Sequence, residues 1–125
     1  MMENKKKNIV QEKSFAFSLR IIKLSKFLIN EKKEFVISKQ ILRSGTAVGA
    51  LIREAEHAQS KADFINKMNI ALKEANETDY WIELLYQSNE IDKNAYHSIQ
   101  PDIQELIKLL VSIVKTSKEI YNAKK

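Results

Sequence analysis

The sequence predicts an all-α protein, an antiparallel up-down four-helix bundle. Three observations carry that prediction. The 125 residues contain only two glycines and one proline, too few for the many tight turns of an all-β domain. Apolar residues recur at helical spacing in four separate stretches. The polar breaks between those stretches are short, which places successive helices side by side and antiparallel.

Residues 1–12 lack a sustained apolar period and read as a flexible basic segment carrying Lys5, Lys6 and Lys7. The bundle domain is expected to occupy residues 13–125, with no internal repeat or second domain. Its first helix is predicted from about Ser14, a suitable N-cap, to Asn30. On a helical projection, Phe17, Ile21, Leu24 and Leu28 form one apolar stripe. Phe15, Leu19, Ile22 and Ile29 form a second. One bundle core needs a single stripe, so the second is expected to face another subunit.

The turn at Asn30-Glu-Lys-Lys33 leads to a helix from roughly Ser38 to Ala58, with Ile37, Ile41, Val48, Ile52 and Ala55 on one face. Gly45 and Gly49, the only glycines, interrupt that face. A glycine inside a helix costs roughly 1 kcal/mol relative to alanine. Two at one-turn spacing imply close approach of another helix, with Ser44, Ala47 and Ala50 keeping the neighbouring surface low. In membrane helices such a pair marks dimerisation, but Arg43, Arg53 and Glu54 flank it here, so packing in a soluble bundle is expected.

Ser60-Lys-Ala-Asp63 resembles a capping box, with Asp in place of Glu or Gln. The third helix then runs to about Ser88. Phe64, Met68, Ala71, Ala75, Thr78, Ile82 and Leu85 step alternately by four and three, a strict heptad seam. Ile65, Leu72 and Trp81 widen that face. After the turn Asn89–Asn94, Asp92 is placed to cap a short helical piece over residues 95–99. Pro101 is expected in the first turn of the last helix, where a missing N–H costs little. Ile103, Leu106, Ile107, Leu110, Ile113, Val114, Ser117 and Ile120 or Tyr121 form its broad apolar face, and residues 122–125 are expected to fray.

The lack of cysteine excludes a disulfide framework and a zinc ribbon, and accords with a reducing cytoplasm. No apolar run approaches the ~20 residues that span a bilayer. The basic start is followed by Gln11-Glu-Lys-Ser14 where a signal peptide needs an apolar region. A soluble cytoplasmic protein with no membrane partner is expected.

Charge is segregated along the chain. Residues 1–43 carry +7, residues 54–105 carry −7 and residues 106–125 carry +4, within a total of +5. A basic surface attracts phosphate backbones, while ordinary solvated lysines would account for the same composition. Arg43 has two readings, an ion pair with Glu74 or Glu77, or exposure to an anion. Tyr80-Trp81, with Tyr86 nearby, lies among Glu77, Asp79 and Glu83. Those acids repel phosphates, so these aromatics are assigned to the core or to a subunit interface rather than to base stacking.

Catalytic signals are sparse. Glu54-Ala-Glu-His57 holds one Glu-x-x-His pair, whereas a di-iron bundle needs two such pairs and two further glutamates. Glu74 and Glu77 could add carboxylates, but His97 has no Glu three residues before it, leaving half a site. No nucleophile elbow or phosphate-binding glycine loop is present. Neither catalytic residues, metal nor cofactor is expected.

The run Ile41-Leu-Arg-Ser-Gly-Thr-Ala-Val-Gly-Ala50, then Ile52-Arg-Glu-Ala55, Ser60, Asp63-Phe-Ile65, Ile70-Ala-Leu-Lys-Glu-Ala75, Glu77-Thr78 and Tyr80-Trp81 resembles a known family. It is similar to the bacterial four-helix-bundle proteins first noted as products of intervening sequences in 23S ribosomal RNA genes. These are related to the accessory variability determinant of diversity-generating retroelements. The match covers the two central helices, roughly a third of the chain. The resemblance implies a ring-like homopentamer without known catalytic activity. It also implies, from the retroelement relatives, basic surfaces that bind nucleic acid and a reverse transcriptase. Leu51 departs from the family motif, which usually has Asn there.

Two functions of different class follow. One is a homo-oligomeric bundle binding RNA or DNA, with Lys13, Arg20, Lys23, Lys26 and Arg43 neutralising phosphates and Lys5–Lys7 as a basic arm. The other is a structural or protein-interaction module that binds a protein partner and has no nucleic-acid affinity. In both, Gly45 and Gly49 serve helix packing.

Overall fold

A computed structural model describes residues 4–124, with side chains from Ile9 onward. Four helices, α1 (Asn4–Asn30), α2 (Ile37–Glu56), α3 (Lys61–Gln87) and α4 (Lys93–Ala123), make up the fold, and no strand occurs among the described residues. Each helix packs on its neighbours in sequence, and α1 against α4 closes the ring. The bundle is thus up-down and antiparallel, with α1 diagonal to α3 and α2 to α4.

Local chemistry sets the helix ends. Before α2, the Glu34 carboxylate accepts from the backbone N–H groups of Val36, Ile37 and Ser38 at 3.2, 3.1 and 2.7 Å. It satisfies donors that a helix start leaves without partners. Ser60 caps α3 by accepting from the Asp63 N–H at 3.0 Å, while Asp63 accepts from the Gln59 N–H at 3.3 Å. This is the expected capping box, its return arm shifted by one residue. The connections turn through left-handed residues at Lys33 (φ 54°) and Asn89 (φ 65°), and asparagine tolerates that conformation well.

The core forms where the four apolar stripes meet. Phe17, Ile21 and Leu28 of α1 meet Ile41, Val48 and Ile52 of α2, Met68, Ile82 and Leu85 of α3, and Ile103, Leu106 and Leu110 of α4. The heptad seam of α3 is buried from Met68 to Leu85, with Phe64 partly covered. Leu51 packs against this core from its edge, so an apolar side chain suits the position where the family motif has Asn.

Two helix boundaries differ from the sequence reading. The first helix begins at Asn4, not at Ser14, and Val10 is wholly buried in the core. Ser14, expected as a cap, instead lies buried mid-helix and donates to the Gln11 carbonyl at 3.1 Å. The last helix runs unbroken from Lys93, capped by Asp92, which accepts from the Ala95 N–H at 2.8 Å. Pro101 therefore stands inside α4 rather than in its first turn. A proline removes the bond to the carbonyl four residues back and crowds that turn. The carbonyl that loses its donor is that of His97; Arg20 of α1 bonds the next carbonyl, that of Ser98, at 3.0 Å, and so ties α1 to this turn without replacing the lost bond.

The glycine pair faces α1. A Cβ on Gly45 would lie 2.8 and 2.9 Å from the Ile21 side chain, and one on Gly49 would lie 3.3 Å from the Ser18 hydroxyl and 3.4 Å from the Ser14 carbonyl oxygen. Neither glycine has positive φ, so space rather than backbone freedom selects them. Ser44 faces the other way, bonded to the Thr78 hydroxyl of α3 at 2.9 Å. Ala50 is exposed.

Ile21 is β-branched and fully buried, so it has little room to yield. The Ser18 hydroxyl donates to the Ser14 carbonyl at 3.0 Å, and it needs to give by only a few tenths of an ångström to admit a Cβ on Gly49. We predict that Gly45→Ala lowers the unfolding free energy by about 1–2 kcal/mol. Gly49→Ala should leave it unchanged or raise it by up to about 1 kcal/mol through helix propensity. Urea unfolding of both variants checks this, and equal losses would contradict it.

Candidate functional site

The second stripe of α1 finds no partner within the chain. Phe15, Leu19, Ile22 and Ile29, with Leu42 of α2, are 36 to 54% exposed. Between the two helices runs a groove of about 970 Å³, with Phe15, Ile22, Thr46, Gly49 and Arg53 in its wall. The Arg53 guanidinium sits 5.9 Å from the centre of the Phe15 ring, within cation–π range. The same close packing that buries Ile21 turns Ile22 outward. Contiguous exposed apolar surface of this kind marks interaction sites.

The five cations expected to meet phosphates divide into two groups. Lys13 pairs with Glu105 at 3.2 Å. Arg20 pairs with Asp102 at 2.6 Å and bonds both the carbonyl and the hydroxyl of Ser98. Arg43 bonds Glu74 at 3.1 Å and Glu77. Of the two readings of Arg43, the ion pair holds. Its hydrogen bonds to the acids, Glu77 first, raise its pKa, while Trp81, donating at 3.0 Å, and then Arg43 hold Glu77 below its ordinary value. All three cations link helices, α1 to α4 or α2 to α3. Lys23 and Lys26 are exposed and form no ion pair among the described residues. The side chains of Lys5, Lys6 and Lys7 lie outside the described residues.

At the bundle end where α3 begins and α4 finishes, Lys61 and Lys124 come together, and the proximity of Lys124 lowers the Lys61 pKa. Two cations this close form a spot where an anion would be favoured. Sequence reasoning missed it, because the two lysines are sixty-three positions apart.

Across α3 and α4 lies a polar seam. The Tyr96 hydroxyl donates to Glu83 at 2.7 Å, which pushes the phenol up to about 12. Gln87, and after it Tyr96, hold Glu83 below the usual carboxylate range. Burial pushes the Asp79 carboxyl up, against the hydrogen bond from Gln104 at 3.0 Å. Tyr86 stacks on Tyr96 with ring centres 4.2 Å apart. These contacts join the two helices. Trp81 is half-buried against the core, whereas its neighbour Tyr80 is 60% exposed and meets Trp81 edge-on at 5.1 Å.

Glu54 and His57 are exposed at the end of α2, where His57 is the C-cap. No group of three or more His, Asp or Glu side chains among the described residues is arranged to hold a metal ion. None of the described helices is long and apolar enough to cross a membrane.

A family model described as 23S rRNA-intervening sequence protein matches residues 6–112. A crystal structure from Bacteroides thetaiotaomicron VPI-5482, described as a protein with unknown function from the S23 ribosomal protein family, is similar to this chain. The two are 64% identical, with a TM-score of 0.86 over 88% of this chain and 98% of that one. No curated protein matches the chain.

Proposed function

The chain belongs to the 23S rRNA-intervening sequence protein family, and on that premise we propose that it works as a non-enzymatic, cytoplasmic homo-oligomer whose subunits join through the α1–α2 face. One observation carries this reading: Phe15, Leu19, Ile22, Ile29 and Leu42 are exposed together on two adjacent helices. These side chains are already about half covered, so burying the rest of each is worth about 1 kcal/mol, and covering several at once adds up to a substantial driving force. The ring-like pentamer, and the relation to the accessory variability determinant of retroelements, enter as what the Ile41–Leu85 motif resembles. In this reading Gly45 and Gly49 shape the face by setting how α1 lies on α2.

Light scattering checks the assembly. The wild-type protein is expected to have a mass several times 14.5 kDa, and Ile22→Asp is expected to return a folded monomer. A wild-type monomer at micromolar concentration would refute the proposal.

Binding of RNA or DNA by phosphate neutralisation is the second reading. Lys61 and Lys124 favour it, while Lys13, Arg20 and Arg43 already have carboxylate partners. Antiparallel packing also brings the first turns of α1, which carry Lys5–Lys7, to the end where α4 finishes with Lys118 and Lys124. In a mobility-shift titration, binding should weaken steeply with salt. Replacing Lys61 and Lys124 together by Gln should reduce the logarithmic salt slope by about two. No binding at low salt, or binding indifferent to salt, would contradict this reading.

A further inference from the structure

We propose that Tyr80, on the outer face of α3, is the knob that enters the α1–α2 face of a second copy of this chain. The proposal rests on assembly through the α1–α2 face and names its counterpart. Tyr80 lies between the core residues Thr78 and Ile82, on the opposite side of the helix from both. It is the most exposed of the large aromatic side chains on α3, at 60%. Its edge-on contact with Trp81 restrains the ring, so less side-chain freedom is lost on docking. Tyrosine on such a surface is a common interface anchor.

Charge selects the partner. Asp79 and Glu83 flank Tyr80 on α3, and Glu77 is already taken by Arg43 and Trp81. Around Leu19, Ile22, Ile29 and Leu42 the flanking cations are Lys23, Lys26 and Lys39, none of them ion-paired among the described residues. An aromatic knob with an acidic rim therefore has its complement, an apolar face with a basic rim, on the same chain.

Height and direction agree as well. Arg43 reaches Glu77, and α3 runs antiparallel to α2, so Tyr80 sits about one turn beyond Arg43 toward the start of α2. That is the level of Lys39 and Leu42. The contact of Gly45 with Ile21 puts Leu24 level with Leu42, so Ile22 lies about half a turn to one side of this height and Ile29 about a turn and a half to the other. A rotation about an axis parallel to the bundle brings Tyr80 of one copy to this height on the next. Because α3 stands diagonal to α1, its outer face points away from the α1–α2 face. The two patches can thus be used at once, head to tail, in contrast to an isologous contact that pairs one patch with itself.

Mixing two variants tests this. Tyr80→Ala removes the knob and keeps the α1–α2 face, while Ile22→Asp spoils the face and keeps the knob. Far-UV circular dichroism verifies that each is helical. The expected masses by light scattering are a multimer for wild type, a monomer for each variant alone, and a dimer for their equimolar mixture. Tyr80→Ala retaining the wild-type mass, or two monomeric variants that do not combine, would overturn the knob while leaving assembly standing. A monomeric wild type would overturn assembly itself.

Discussion

The backbones of α1 and α2 meet closely where Gly45 lies under Ile21 and Gly49 against Ser14 and Ser18, and that approach sets the rotation of α1 in the bundle. With Ile21 seated over Gly45, Phe17 and Leu28 fall into the core and Ser14 and Ser25 into the seam between the helices. Ser25 then reaches across to the Ser38 carbonyl at 3.2 Å. The second stripe of α1 has nowhere to go but outward. A side chain at position 45 would lift α1 away or turn it, altering both the core and the outer face. Packing inside the subunit and the surface offered to a partner are therefore one geometric problem.

Charge plays a different part from the one its distribution along the chain suggests. The basic first third and the acidic middle neutralise one another between helices, through Lys13–Glu105, Arg20–Asp102 and Arg43 with Glu74 and Glu77. Exposed pairs of this sort contribute roughly 0–1 kcal/mol each, so burial of Ile, Leu and Phe dominates stability. Arg20 does more than an ordinary surface pair. It bonds the carbonyl and the hydroxyl of Ser98 as well as the Asp102 carboxylate, and so ties α1 to α4 through three contacts on either side of Pro101. Lysines on the outer side of α1, among them Lys23 and Lys26, are exposed and enter none of these pairs.

How much of this was legible in the sequence depended on the range of the interaction. The α3 seam was, because a strict heptad over seven positions allows one buried face, and the caps at Ser60 and Asp92 were, because capping acts within three residues. The outward stripe of α1 was visible as a surplus of apolar residues. The first ten residues of α1 were not, since three lysines in a row hide the period and Val10 alone marks the core side. Pro101 misled because proline is usually a boundary, whereas α4 runs through it from Lys93 to Ala123. Arg43 could be narrowed to two fates but not decided, as only the packing of α2 on α3 places Glu74 and Glu77 within its reach. The meeting of Lys61 and Lys124 left no local trace at all.

The central claim is that the outer face of α1 and α2 is covered by another copy of the chain. Hydroxyl-radical footprinting across a dilution series, read at Phe15 and Tyr80, measures it directly. Both rings should be protected when the protein is concentrated and become reactive together as it is diluted. Full reactivity of Phe15 at every concentration would contradict the claim.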